Sequence, residues 1–172
     1  MTSSFAIQSA VIVISLIACA TDLRTRRIPN ALTFGAAIAG LLAHTELEGV
    51  SGALTAGGGW LTGLAIFLPF FALGGMGGGD VKLLAALGAW LGAYETLYLA
   101  LYSGVAGGAL AVVVAFARGY LKTALFNVVV MLQYWLQSGI RPVPNFTLET
   151  ANSPRLAYAV PMFLGVVVTL WL

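Results

Sequence analysis

The chain has 172 residues, 60% of them hydrophobic and only 8% charged, with a mean hydropathy of +0.96. Soluble domains carry about a quarter charged residues, so this composition describes a membrane protein divided among spanning segments, with no room for a separate soluble domain. The net charge of +2 comes without a basic patch or aromatic-basic interleaving, which argues against a nucleic-acid partner, and the single cysteine, Cys19, excludes intrachain disulfides and thiolate zinc sites.

Phe5 to Thr21 is an apolar run at the short end of what crosses a hydrocarbon layer of about 30 Å. Ala18-Cys19-Ala20 imitates a cleavage site. However, no Lys or Arg precedes the run and Arg24, Arg26 and Arg27 follow it, so an uncleaved first helix is expected. Asp22 to Asn30 reads as a charged turn, with Pro29-Asn30 opening the next helix. The second span runs from about Ala31 to His44 and is stopped by Glu46 and Glu48. The third covers about Ala53 to Leu73, weakened at its start by Gly57-Gly58-Gly59 and open to a kink at Pro69.

Gly74-Gly75-Met76-Gly77-Gly78-Gly79-Asp80-Val81-Lys82 then reads as a tight, substrate-accessible turn. Val81 to Gly92 is a short fourth apolar segment, ended by Tyr94 and Glu95. Leu97 to Ala117 makes a fifth, where Gly104 and Gly108 suggest close helix packing. Between 118 and 139, Leu125, Val128, Val129, Leu132, Trp135 and Leu136 form a helical stripe interrupted by Lys122, Asn127, Gln133 and Gln137. That pattern predicts an interfacial helix on the cytoplasmic side rather than a span. Arg141 to Arg155 reads as a loop and Leu156 to Leu172 as the last span.

Charge sets the expected topology. With the first turn inside and six spans, all eight basic residues lie on the cytoplasmic side, and Glu46, Glu48 and Glu95 lie outside. The predicted fold is therefore all-α: one bundle of six transmembrane helices over residues 1–172, both termini periplasmic, in a bacterial inner membrane.

The same topology puts the chain's two aspartates, Asp22 and Asp80, at one membrane depth. Two carboxylates held together share a proton and split their pKa values. One can then activate water while the other polarises a carbonyl, with no metal or cofactor. The plainer reading is that each aspartate caps a helix, or that Asp22 pairs with Arg24 or Arg26. Lys82 either snorkels to the interface, or binds lipid phosphate, or orients the glycine turn. His44, the lone histidine, is expected at the outer boundary with no part in chemistry.

Asp22-Leu23-Arg24-Thr25-Arg26-Arg27-Ile28-Pro29-Asn30 resembles the first active-site segment of the prepilin peptidases, the GxGD-type aspartic peptidases of type IV pili and type II secretion. Gly77 to Gly88, with its lysine and Ala-Ala-x-Gly, resembles their second, and the likeness extends to Leu156-Ala157-Tyr158-Ala159-Val160. The resemblance implies Asp22 and Asp80 as the catalytic pair, with Gly77, Gly78, Gly79 and Lys82 supporting the site. It implies cleavage after a glycine, at the cytoplasmic face, of a prepilin or pseudopilin carrying a basic leader and a hydrophobic helix. Larger members carry zinc-binding Cys-x-x-Cys pairs between the first two spans and methylate the new N-terminus. Here the turn is too short and Cys19 stands alone, so the chain is closest to the compact peptidases of tight-adherence (Flp-type) pili.

Besides the substrate, membrane lipid is the expected partner, and a homo-oligomer is compatible with the chain. Glu149 is a candidate for reading the basic leader. Two alternatives remain: a non-catalytic membrane component of a pilus or secretion machine, and a small transporter. A transporter would place ionisable residues near mid-membrane. Neither alternative explains the glycine turn, its lysine and the Asp22 segment together.

Overall fold

The computed structural model describes residues 2–143 and 157–171, and all regular structure among them is helical. The elements are α1 (Thr2–Thr25), α2 (Asn30–Ala72), α3 (Gly78–Leu91), α4 (Ala93–Ala117), α5 (Leu121–Ser138) and α6 (Ala159–Trp171). By length and composition α1, α2 and α4 can cross a membrane.

At 43 residues α2 would be roughly 65 Å long if straight, about twice the hydrocarbon thickness. It is broken at Gly49, where φ is 62° and ψ is −136°. The first limb runs alongside α3 in the same direction. Lys82 Nζ donates to Asn30 Oδ1 (3.1 Å), Trp90 Nε1 donates to the Ala36 carbonyl (2.8 Å), and His44 Nε2 donates to the Trp90 carbonyl (2.9 Å). The second limb runs back against α3: Gly59 meets Gly88, and further along Gly63 meets Ala85 and Leu84. Two limbs lying in opposite directions along one helix make α2 a helical hairpin.

The break is sharper than the charged stop expected at Glu46 and Glu48, because both glutamates remain helical and the chain turns at Gly49. Pro69 does not end the helix, which keeps helical backbone angles there and runs on to Ala72. Gly57-Gly58-Gly59 do not open the helix either; Gly59 serves packing instead. A Cβ on Gly59 would overlap the Gly88 carbonyl oxygen, and one on Gly88 would overlap that of Gly59. Neither backbone could approach so closely with a side chain between them.

α3 is the buried centre. Val81, Leu83, Leu84, Ala85, Ala86, Leu87, Gly88 and Ala89 are all buried, on every side of the helix, as expected for an apolar helix surrounded by others. It ends at Gly92, whose φ of 83° and ψ of 173° turn the chain straight into α4. Thr96 closes that corner by donating from Oγ1 to the Gly92 carbonyl (2.6 Å). Tyr94 and Glu95 therefore open α4 rather than ending the preceding segment. The expected close contact at Gly104 and Gly108 is absent, with nothing within 4 Å of a Cβ built on either. Gly107 is the glycine that packs, against the ring of Tyr158. α4 stops at Gly119 (φ 74°), where the N–H groups of Gly119 and Tyr120 return to the carbonyls of Phe116 and Ala115.

α6 packs against α4 and α1, with Val11, Ile14, Ala18, Met162 and Val166 in one apolar core. Pro161 falls in the first turn of α6, where its missing N–H leaves no helical bond unmade. α5 follows α4 and buries none of its side chains.

Candidate functional site

α1 extends a turn beyond the apolar run, so Asp22 is helical rather than part of the turn. The helix stops at Arg26, whose φ of 54° is the one positive value among the described non-glycine residues, a backbone state that costs about 1–2 kcal/mol. Its N–H donates to the Asp22 carbonyl (2.9 Å). The chain then reverses through Ile28 and Pro29 into α2, as Pro29-Asn30 led one to expect.

Asp22 is only 7% exposed. Its Oδ2 accepts the N–H of Ala159 at 3.3 Å. Ala159 opens α6, where first-turn N–H groups lack helical partners and the helix dipole favours a negative group. The cap thus comes from a helix 137 residues away in sequence.

The glycine run divides its work. Gly74, at φ 75°, ends α2, with the N–H groups of Gly74 and Gly75 returning to the Phe71 and Phe70 carbonyls. Gly77 to Gly79 have ordinary backbone angles and are needed for space. A Cβ on Gly77 would stand 3.0 Å from Asp80 Oδ2, and one on Gly78 3.3 Å from the Phe71 ring. On Gly79 it would stand 3.3 Å from Ile28 Cβ, in the segment that follows Asp22. Gly78, Gly79 and Asp80 already belong to α3, so the expected turn is shorter than its glycine content.

These contacts bring the two segments to one pocket of about 450 Å³, lined by Asp22 and residues 26–30 on one side and by Gly77 to Asp80 on the other. Asp80 precedes the apolar run that begins at Val81. Burial, then the charge of Asp22, pushes its carboxyl up to about 7, against a lowering hydrogen bond from the Gly77 backbone. Arg26 and Arg27 put guanidinium charge on the same rim.

Lys82 does not line this pocket. Its ammonium bonds Asn30 and stands 5.6 Å over the Phe34 ring centroid, tying the first turn of α3 to the first turn of α2. His44 is buried and bonds the last turn of α3, at the far end of that helix from Asp80. Glu149 and Arg155 lie outside the described residues. No group of three or more His, Cys, Asp or Glu side chains gathers as a metal site among the described residues.

Two contacts were not anticipated from the sequence. The role of Asn30 as partner of Lys82 has no local signature. The Ala159 N–H is a backbone group, invisible to a search for reactive side chains. The only hint was the family-like stretch from Leu156 to Val160.

A prepilin leader peptidase/N-methyltransferase from Klebsiella pneumoniae is 41% identical over 86 residues, covering 45% of this chain and 36% of that protein. The chain therefore matches little more than a third of that relative's length. No solved structure matches the chain. Residues 9–112 match the sequence profile of the type IV leader peptidase family. That stretch holds both segments that meet at the pocket, and the chain belongs to the type IV leader peptidase family.

Proposed function

We propose that the chain is a membrane aspartic endopeptidase that removes the basic leader of a prepilin or pseudopilin, cutting after a glycine at the cytoplasmic face of a bacterial inner membrane. The observation that carries this reading is the single pocket shared by the buried Asp22 and the half-buried Asp80, carboxyl groups from the two family-like segments. Asp80, raised toward neutrality by burial and by Asp22, holds the proton and donates to the scissile carbonyl oxygen. Asp22, with Oδ2 engaged by Ala159, takes a proton from the attacking water through its other oxygen. Collapse of the tetrahedral intermediate passes that proton to the leaving amine, and the second carboxyl regains its own from the new acid product.

In this reading Gly77 to Gly79 set how closely the two segments approach, and Lys82 holds α3 in register with α2 through Asn30. The chain crosses the membrane six times, as two limbs of α2 together with α1, α3, α4 and α6, with both termini periplasmic. α5, which buries nothing, lies along the cytoplasmic surface.

The test is co-expression with candidate prepilins, followed by intact-mass measurement of their N-termini. Cleavage after a glycine is expected, and its loss in Asp22→Asn and in Asp80→Asn. Near-normal cleavage by a folded, membrane-inserted Asp80→Asn protein refutes the assignment.

A further inference from the structure

An apolar groove of about 640 Å³ runs between the second limb of α2 and α4. Phe67 and Phe70 form one wall and Leu101 and Val105 the other, and Met76 and Tyr158 also line it. These last two are chain neighbours of residues at the carboxylates. Met76 immediately precedes Gly77, in the turn that carries Asp80. Tyr158 immediately precedes Ala159, which bonds Asp22, and it lies within electrostatic reach of Asp80.

A second apolar cavity, of about 260 Å³, lies between the two limbs of α2 against Ala89. It includes no residue of either segment at the carboxylate pocket, so a chain lying there would not lead to Asp22 or Asp80. In the larger groove α4 presents bare backbone, since nothing stands within 4 Å of a Cβ built on Gly104, or on Gly108 one turn away. Helices in lipid pack most closely where one of them carries such small residues.

We propose that this groove receives the hydrophobic helix of the substrate during cleavage. The inference rests on the peptidase reading, which supplies a substrate whose scissile bond immediately precedes a membrane helix. Side chains of that helix pack between Phe70 and Leu101, and its backbone approaches α4 over Gly104. The peptide bond before it passes Met76 and Tyr158 to reach the two carboxyl groups. Gly104, Leu101 and Phe70 are then specificity-determining positions, selecting substrates by the shape of the helix rather than by the leader.

The experiment places a photo-activated benzophenone side chain at Leu101, with Leu41 in the smaller cavity as control. The host is the Asp80→Asn protein co-expressed with a prepilin that the unmodified enzyme cleaves. Cross-linking to prepilin from Leu101 and not from Leu41 is expected. In the otherwise unmodified enzyme, Gly104→Phe places a ring in the groove from a position whose Cβ has nothing within 4 Å. It should raise KM for that prepilin about tenfold with little change in kcat, the scale of losing one well-packed helix contact. Leu101→Trp is the second variant and should act in the same direction. Cross-links only to lipid or to a second copy of the chain overturn the proposal. So does an unaltered KM in variants that still cleave; in both cases the peptidase reading stands. Failure of the unmodified enzyme to cleave any prepilin overturns that reading and this one with it.

Discussion

Replacing Asp80 with Asn should stabilise the folded protein, by an amount that grows with pH. The carboxyl is raised from an ordinary 3.8 to about 7, so the folded state binds this proton more tightly than the unfolded chain does. Stability then falls as pH rises from about 4 to about 7, and above that the full penalty applies. A tenfold change in proton affinity is worth about 1.4 kcal/mol. The penalty relieved by Asp80→Asn is therefore about 1–2 kcal/mol at pH 5 and at most about 4 kcal/mol at pH 8. Water entry and side-chain relaxation reduce both figures. Unfolding midpoints of the two proteins in one detergent, at pH 5 and pH 8, test the argument, and groups that titrate alike in both proteins cancel from the difference. The gain should be larger at pH 8. Because the charge of Asp22 helps to raise the Asp80 carboxyl, the pH dependence should shrink when the comparison is repeated in Asp22→Asn. An equal gain at both pH values, or a loss at pH 8, refutes the electrostatic account of Asp80.

Under the proposed mechanism, cleavage by the unmodified protein should decline as pH rises through about 7, where Asp80 loses its proton; a rate rising steadily to pH 9 would assign the acid elsewhere. Asp22→Asn and Asp22→Ala should both abolish cleavage, but only Ala removes the acceptor for Ala159. The alanine variant should therefore lose about 1 kcal/mol of stability relative to Asn, the scale of a lost helix cap. Lys82→Met should slow prepilin processing without ending it, since it cuts the tie to Asn30 and leaves both carboxyl groups in place; complete loss in a folded, inserted protein would give Lys82 a larger part. Gly59→Ala should destabilise by more than about 2 kcal/mol, as overpacking against a fixed backbone does, because its Cβ overlaps the Gly88 carbonyl. Gly104→Ala, with nothing within 4 Å, should leave the unfolding midpoint nearly unmoved.

The sequence by itself determined what depends on composition and local pattern. Apolar runs marked the helices, since a chain in lipid must satisfy its backbone within each segment. Two aspartates in so apolar a chain, each beside a family-like segment, marked the candidate site. Helix breaks were less legible, because a glycine's role depends on what stands opposite it. Gly49 and Gly92 turn the chain through positive φ, and Gly59 is spent on contact with Gly88, yet all three look alike in the sequence. The spacing of Gly104 and Gly108 promised a packed face that the chain alone does not fill. Only the tertiary structure decided that Asp22 caps α6, that Lys82 bonds Asn30 without itself lining the pocket, and that the groove beside α4 takes in Met76 and Tyr158. Each of these joins residues from helices distant in the chain, and it is the packing around α3 that brings them together.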